Sequence, residues 1–242
     1  MLSLLAEKNR QKMVAQLREQ VGRLEIATPT DGHDPLQFGS GCLPLDELLP
    51  GGGVRRGTLV EWLSPAAGGG AATLALLIAR EACRAGGVLA VVDRRGEFYP
   101  PSAARWGIDL SRALFVRPAR AADDDWAFDQ ALRCRGVRAV LGWPQRLDDR
   151  TFRRWQLAAL AGGSVGLLLR PDSAAASPSW AEVRLLVQPL AGGLRRVNVE
   201  LLRCRGGASR GNVELEIDDE TCVVHLAAEL ASATTLPRAA GA

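Results

Sequence analysis

The sequence predicts an α/β fold in which a mostly parallel sheet lies between two layers of helices and ends in antiparallel strands. Two observations predict it. Between residues 58 and 169, short apolar runs alternate with helical segments, which is the pattern of strands buried on both faces. After Pro171, apolar and polar residues alternate, as in Val213-Glu-Leu-Glu-Ile217, which is typical of strands with one solvated face. With 242 residues, 47% of them hydrophobic, the chain is long enough for one such domain.

Five strands are predicted for the parallel part of the sheet. Thr58 to Leu63 is a short run of β-type residues, and Gly87 to Asp93 is an apolar strand that ends in a carboxylate. Three further apolar runs have the composition of buried strands, namely Ala113 to Val116, Val137 to Gly142 and Ser164 to Leu169. Because parallel strands need long crossover connections, a helix is expected between successive strands.

Helices are predicted in each of these connections. Ala71 to Arg84 is rich in Ala and Leu and is long enough to cross a sheet. Further helices are predicted near Ser102 to Trp106, from Asp123 to Arg133 and from Asp149 to Leu160. Strands and helices thus alternate regularly, as a sheet covered on both faces requires.

Three alternating segments are predicted as antiparallel strands at the end of the sheet. They are Glu182 to Val187, Arg195 to Leu202 and Asn212 to Ile217. Gly192-Gly193 and Gly206-Gly207 supply turns between them. The predicted core spans residues 36–230, and residues 231–242 are small and polar enough to predict a disordered tail.

Residues 1–35 are predicted to form a separate N-terminal helix and linker. Between Glu7 and Leu24, apolar residues recur at spacings of four and three with charged residues between them, which predicts an amphipathic helix. The members of this stripe are Met13, Leu17, Val21 and Leu24. Pro29 to Pro35 is rich in turn formers and is predicted as a linker. The stripe either binds a partner or packs on the chain's own core.

Composition excludes several classes of function. Thirty basic and 27 acidic residues give a net charge of +3, which is too small to predict nucleic-acid binding from bulk electrostatics. The five cysteines contain no CxxC pair and the two histidines lack nearby ligand partners, so no metal site or disulfide framework is predicted. No export signal and no apolar run of ~20 residues is present, so a cytoplasmic protein without a membrane span is expected.

The turn between the first strand and the first crossover helix is where a Gly-rich loop would hold nucleotide phosphates. Here it reads Leu63-Ser-Pro-Ala-Ala-Gly-Gly-Gly-Ala-Ala-Thr-Leu74. A functional phosphate loop ends in Gly-Lys-Ser/Thr, because Lys neutralises phosphate oxygens and the hydroxyl binds magnesium. Gly70 or Ala71 stands at the Lys position and Ala71 or Ala72 at the hydroxyl position, depending on where one gap is placed. The vestigial loop comprises Gly68, Gly69, Gly70, Ala71, Ala72 and Thr73.

A second element of nucleotide chemistry is also missing. The strand Val137 to Gly142, which continues into Trp143, occupies the position of a strand that normally ends in a magnesium-supporting Asp, and it offers none. Thr73 could replace the missing hydroxyl, and backbone amides of the loop could still hold an anion. No cofactor and no catalytic residue are therefore expected, with residual ATP binding as the less favoured alternative.

Several segments carry a resemblance to a known family. Phe38-Gly-Ser-Gly-Cys-Leu-Pro-Leu-Asp46, Gly51-Gly-Gly-Val-Arg-Arg-Gly57 and Leu59-Val-Glu-Trp62 are similar to the part of RecA that precedes its phosphate loop. Ser179-Trp-Ala-Glu-Val-Arg-Leu-Leu186 and Arg195-Arg-Val-Asn-Val199 resemble the antiparallel end of the RecA core. The resemblance covers roughly residues 36 to 225 and implies a RecA-like three-layer fold.

The segment after the second strand carries a more specific resemblance. Val91-Val-Asp-Arg-Arg-Gly-Glu-Phe-Tyr-Pro100 resembles RecA's second strand and the residues that follow it. In that alignment the family's catalytic Glu falls on Arg95, with Glu97 two residues out of register. Together with a short core and a damaged loop, this run resembles the ImuA family of bacterial mutagenesis accessory proteins.

The ImuA resemblance implies a role in damage-induced translesion synthesis, the SOS mutagenesis pathway, and association with the nucleoid. It implies two partners, an ImuB-like inactive relative of Y-family polymerases and an error-prone DNA polymerase III α subunit. Because the RecA N-terminal helix docks on a neighbouring protomer, the resemblance implies that the N-terminal stripe here binds another copy of the chain, a RecA filament or the ImuB-like protein.

Weak contact with single-stranded DNA is a further expectation. RecA-type proteins hold single strands with two loops, and the corresponding segments here are Trp143 to Trp155 and Pro171 to Trp180. The first carries arginines and aromatic residues that could pair phosphates and stack bases; the candidates are Arg146, Arg150, Arg153 and Arg154. A helix with Phe152 and Trp155 facing the core explains the same pattern, and it is the favoured interpretation.

Two other functions remain as alternatives. One is a divergent ATPase that uses Glu97 and Thr73 in shifted roles. The other is a cell-division inhibitor, because small RecA-derived proteins related to ImuA resemble the inhibitor SulA. The favoured function is a non-catalytic accessory protein that acts through protein contacts. The intact RecA-like segment before the loop and the RecA-like C-terminal strands place the cell-division inhibitor last.

Overall fold

The computed structural model describes residues 37–191, 195–205 and 211–227. The predicted N-terminal helix with Met13, Leu17, Val21 and Leu24 lies outside these described residues. So do the two predicted Gly-Gly turns and the predicted tail. Statements about structure below therefore concern the core alone.

The described chain contains eleven strands and five helices. In chain order the strands are β1 (Gln37–Phe38), β2 (Val54–Arg55), β3 (Leu59–Ser64), β4 (Val88–Val92), β5 (Ala113–Val116), β6 (Val137–Gly142), β7 (Val165–Pro171), β8 (Val183–Leu190), β9 (Arg195–Cys204), β10 (Asn212–Asp218) and β11 (Val223–Leu226). The helices are α1 (Leu43–Leu48), α2 (Ala71–Cys83), α3 (Pro100–Arg105), α4 (Ala121–Arg133) and α5 (Asp149–Gly162). Short 3-10 turns occur at Pro50–Gly52, Leu110–Arg112 and Asp172–Ala176.

Nine of these strands form one sheet in the order β11-β10-β9-β8-β3-β7-β6-β4-β5, and β1 pairs with β2 in a separate ribbon. The neighbours from β5 to β8 are parallel, and β9, β10 and β11 are antiparallel. The segment of β8 was expected to be antiparallel, and it is antiparallel to β9, but on its other side it is parallel to β3, with Val60 opposite Val183. The connection from β7 returns the chain to the edge where β3 begins, so the change of direction falls at β9.

Two apolar cores lie on the two faces of the parallel strands. On one face, α2 packs its buried residues, such as Leu74 and Ile78, against Trp62 and the inward residues of β8 to β11. On the other face, α4 and α5 bring Phe128 and Trp155 together with ring centroids 4.3 Å apart. The predicted arrangement of helices on both faces of a parallel sheet is therefore confirmed.

Local signals place the ends of α5. Its N-cap Asp148 accepts a hydrogen bond from the Thr151 backbone N–H at 2.6 Å, which satisfies one of the amides left free at a helix start. The helix ends at Gly163, whose φ of +68° is a left-handed conformation that glycine adopts without strain. None of the helices in the described ranges is long and apolar enough to cross a membrane.

The twelve helices and strands predicted for the core after residue 57 are present, with ends that differ by at most three residues. The predictions missed α1, β11 and the short ribbon of β1 and β2. These elements are two to six residues long, which is too short for apolar periodicity to identify them.

Candidate functional site

The loop between β3 and α2 lines a cleft of roughly 400 Å3 at the carboxyl edge of the parallel strands. The loop contributes one wall, and the ends of β7 and β6 contribute others through Arg170 and Trp143. Glu97, from the segment after β4, also faces this cleft. In an open parallel sheet this edge is where ligands bind.

The structure decides which residues stand at the two missing phosphate-binding positions. Gly70 is the N-cap of α2 with a φ of +95°, and a Cβ there would lie 2.8 Å from Val197 Cγ1. A lysine would be strained at this position, so Gly70 corresponds to the glycine of the motif. Ala71 and Ala72, the first two helical residues, therefore occupy the Lys and Ser/Thr positions.

Thr73, proposed above as a replacement hydroxyl, is bonded to another side chain. Its Oγ1 accepts a hydrogen bond from Arg195 Nη2 at 2.6 Å, and the same guanidinium lies 3.3 Å from Asp219 Oδ2. Thr73 is not among the residues that line the cleft. Its role in this structure is to connect the first turn of α2 to β9.

Of the two acidic residues near the cleft, Asp93 is buried and hydrogen-bonded to the backbone, whereas Glu97 is exposed. Asp93 is buried and accepts three backbone N–H bonds, from Gly96 at 2.8 Å, Glu97 at 3.0 Å and Phe98 at 2.9 Å. The carboxylate thus holds the turn after β4 in shape. The exposed Glu97 lines the loop cleft, whereas Arg95 lines the neighbouring cleft toward Trp155. Of the two residues considered for the catalytic Glu, only Glu97 faces the loop.

A magnesium nucleotide does not fit this set of residues. The loop offers no ammonium group for the phosphates, it has Ala72 where the hydroxyl that binds the metal would stand, and β6 ends in Gly142 without a carboxylate. In the described ranges, no group of three or more His, Cys, Asp and Glu side chains could hold a metal ion. No catalytic step is therefore derived through a bound nucleotide.

Two cysteines of the core, Cys42 and Cys83, are not activated as nucleophiles. Burial raises the pKa of the Cys83 thiol to about 12, despite the nearby Arg56 and Arg138. Burial likewise raises the pKa of the Cys42 thiol. Since the thiolate is the nucleophile, neither group is activated at neutral pH.

A buried ionic cluster lies behind the cleft, and the sequence analysis missed it. Glu61, in the middle of β3, is fully buried. Its carboxylate accepts hydrogen bonds from Arg170 Nη1 at 2.5 Å, Arg184 Nε at 2.7 Å and Ser179 Oγ at 2.5 Å. These residues are 109 to 123 positions from Glu61 in sequence. The available signal was a charged residue inside each of three otherwise apolar strands, because such charges must be paired.

The two arginines of this cluster differ in how many of their N–H groups have hydrogen-bond partners. Arg184 also donates to the carbonyl oxygens of Ala174, Ala175 and Ser177, which belong to the second segment considered for DNA contact. That segment is thus held against the core. The Arg170 Nε is buried without a partner among the described residues, and its side chain borders the loop cleft. Arg170 therefore connects the cluster to the cleft.

Phe152 and Trp155 do not form a stacking surface beside the four candidate DNA-binding arginines. Phe152 and Trp155 are buried in the core, as the favoured helix interpretation predicts. The arginines are exposed but point in several directions: Arg146 lines the cleft beside Trp155, Arg150 is on the first turn of α5, Arg153 lies over Trp180, and Arg154 lies 3.5 Å from Asp129. Base stacking on Phe152 or Trp155 is therefore excluded in this conformation.

Sequence comparisons identify RecA-type relatives. RecA of Rubrobacter xylanophilus is 37% identical over 107 residues, which is 43% of this chain and 31% of that protein, so the matched region spans about a third of RecA. ImuA of Caulobacter vibrioides is 29% identical over 202 residues, covering 73% of this chain and 81% of ImuA. The cell division inhibitor SulA of Edwardsiella piscicida is 37% identical over 84 residues, covering 32% of this chain and 50% of SulA.

The fold has a counterpart among solved structures. The RadB recombinase superposes with a TM-score of 0.64 and covers 78% of this chain and 99% of its own, at 18% identity. This likeness confirms the RecA-like α/β fold. The match to ImuA along most of both chains confirms the resemblance predicted from the sequence. A family model, the RecA N-terminal domain, matches residues 9–136, which is more than half of the 242 residues, and the chain therefore belongs to the RecA N-terminal domain family.

Proposed function

We propose that this chain is a non-catalytic RecA-like accessory protein in damage-induced translesion DNA synthesis. The observation that carries the proposal is a RecA-like frame whose phosphate loop has Ala71 and Ala72 at the positions of the Lys and the hydroxyl residue. The similarity to ImuA over 73% of the chain supports a role connected with DNA damage. With no catalytic side chains in the loop, the protein acts by binding other proteins near the nucleoid.

The proposed partners are those that the ImuA similarity suggests. They are an ImuB-like inactive polymerase homologue and an error-prone DNA polymerase III α subunit, with a RecA filament or a second copy of the chain as further binding partners. A weak contribution from single-stranded DNA is kept at Arg146 and Arg150, which are exposed and have no ion pair among the described residues. No cofactor is included in the proposal.

The catalytic part of the proposal is tested by magnesium-dependent ATP hydrolysis with and without single-stranded DNA. We expect no turnover above the buffer level from the full chain. Turnover would contradict the proposal. If Glu97→Ala and Thr73→Ala each abolished it, the divergent ATPase would be the correct interpretation.

The cellular part is tested by deleting the gene and measuring damage-induced mutation frequency. We expect the frequency to fall and to be restored by the full-length chain. Tagged protein recovered from damaged cells should carry the ImuB-like protein or the polymerase subunit. Deletion of residues 7–24 tests whether the N-terminal stripe is the contact, since recovery should then be lost.

A cell-division inhibitor is the second candidate, because SulA matches 84 residues of the chain. It predicts filamentous cells on overproduction with an unchanged mutation frequency. That result would contradict the translesion proposal while leaving the fold assignment intact.

A further inference from the structure

The outer face of α5 carries a pair of exposed leucines. Leu157 is 47% exposed and Leu160 is 69% exposed, and a spacing of three residues places them on the same side of the helix. Among the exposed large hydrophobic residues of the described core, no other two lie on one face of a single helix. Scattered exposed leucines are ordinary, but a contiguous apolar patch indicates a binding surface.

The patch continues onto Trp180, just before β8. Leu160 and Trp180 both line a hollow of roughly 160 Å3, together with Gln156 of α5 and the turn that precedes β3. The hollow lies at the amino ends of β3 and β8, away from the loop cleft at their carboxyl ends. It is therefore a separate site, here called the Trp180 surface and defined by Leu157, Leu160 and Trp180.

The backbone around this surface is fixed. A Cβ on Gly57 would lie 3.2 Å from the Leu160 Cα, so α5 packs directly against the turn before β3. The Gly57 N–H also donates to the Ser164 carbonyl oxygen at 3.0 Å. Leu160 is thus presented by a rigid element, which lowers the entropy lost when a partner covers it.

The surface is surrounded by positive charge. The guanidinium groups of Arg153 and Arg205 lie 4.7 Å and 5.6 Å from the centre of the Trp180 ring. Neither arginine, nor Arg55 at the edge of the hollow, has an ion pair within the described residues. The nearby carboxylate of Asp149 already accepts a hydrogen bond from the Trp180 indole N–H. The arginines can therefore pair with carboxylates supplied from outside.

We propose that the Trp180 surface docks an acidic segment of a partner protein that carries apolar side chains. Leucines would be buried against the partner's apolar residues, and the surrounding arginines would pair with its carboxylates, which sets orientation and specificity. A nucleic acid fits less well, because the two leucines offer no stacking surface and Arg153 and Arg205 already lie over the Trp180 ring. This inference rests on the proposed function in one respect, that the chain acts through protein contacts.

The test is site-specific photocrosslinking of the full-length chain in its native host after DNA damage. Leu160 is replaced by p-benzoylphenylalanine, and Leu43, which is 70% exposed on α1, is replaced in the same way as the matched control. We expect a protein adduct about tenfold stronger from position 160 than from position 43. The crosslinked peptide, identified by mass spectrometry, should carry net negative charge and apolar residues.

The dependence of the crosslinking yield on the charge of residue 153 distinguishes specific docking from random collision. Arg153→Glu in the position-160 background should weaken the adduct about tenfold, whereas Arg153→Lys should keep most of it. A neutral or basic crosslinked peptide, an adduct with DNA or with a second copy of the chain, or no excess over position 43 would each overturn the proposal. An acidic partner with no role in DNA damage would support the docking surface and contradict the proposed function.

Discussion

Strand β3 connects two sites with opposite chemical content. In its middle, Glu61 holds two arginines and a hydroxyl inside the core. At its end, the loop from Ser64 to Ala72 has no charged side chain. Removing one partner of a buried cluster leaves an uncompensated charge, whereas removing a loop lysine affects only a ligand. The comparison teaches that this chain keeps the charges on which its packing depends and lacks those that serve phosphate chemistry.

The largest expected effect is at the buried cluster. Glu61→Ala should lower the free energy of unfolding by about 3–5 kcal/mol, because Arg170 and Arg184 would remain buried without their carboxylate. The measurement is urea-induced unfolding. The control is Arg84→Ala, which removes a side chain that is 80% exposed in its ion pair with Glu81 and should change stability by about 0.5 kcal/mol or less. Equal losses of unfolding free energy in the two variants would contradict the view that packing depends on the charges of the Glu61 cluster.

In the loop between β3 and α2, substitution of a glycine should lower stability more where the backbone packs against other residues than where it faces open space. Gly70→Ala should cost about 2–4 kcal/mol, because the new Cβ combines a left-handed backbone with contacts of 2.8 Å to Val197 and 2.9 Å to Ile217. Gly68→Ala has a φ of +80° but nothing within 4 Å, so only the backbone cost of about 1–2 kcal/mol is expected. Chemical denaturation of the two variants measures both losses of stability. If the two variants were equally stable, packing would not explain why the loop keeps its glycines.

A smaller effect is expected at the contact between α2 and β9. Arg195→Ala removes the hydrogen bond to Thr73 and should cost about 1 kcal/mol in the free energy of unfolding. It also releases the Thr73 hydroxyl. If the released hydroxyl conferred magnesium-dependent ATP hydrolysis, the loop would be a blocked site, and the distinction between the two ends of β3 would weaken.

The smallest effect is expected at the start of α5. The hydrogen bond from the Thr151 N–H lowers the pKa of Asp148. Its contribution is therefore present above the ordinary aspartate pKa and is lost as pH falls through the lowered folded value. Asp148→Ala should be less stable than the parent chain near neutral pH, and the two should converge in acid. Thermal unfolding over a pH series checks this, and a difference that persisted in acid would assign the effect to packing.

The order of helices and strands could be predicted because continuous apolar runs have one stable use, as buried strands between helices. Gly87 to Asp93 and Val137 to Gly142 were located in this way. The direction of β8 relative to β3 could not be predicted, because alternation shows which face of a strand is solvated but not which neighbouring strand it pairs with. The short α1 lies in a segment whose resemblance to RecA was recognised, but six residues carry too little periodicity to show a helix.

At the candidate site, the missing Lys and hydroxyl were evident from the sequence, because a motif is local. The residues that surround the loop could not be identified from the sequence. The hydrogen bond between Arg195 and Thr73 joins residues 122 positions apart, and the Glu61 cluster joins three segments. Such contacts depend on the order of strands in the sheet, which periodicity does not determine.

The Glu61 cluster also has a consequence for synthesis on the ribosome. Glu61 emerges early, but both arginines that neutralise it come from β7 and β8, more than a hundred residues later. Until Arg184 has left the exit tunnel, the nascent sheet would have to expose its central strand or bury an unbalanced charge. The domain is therefore expected to assemble late in translation, with its first half held as an unfolded chain that chaperones can bind.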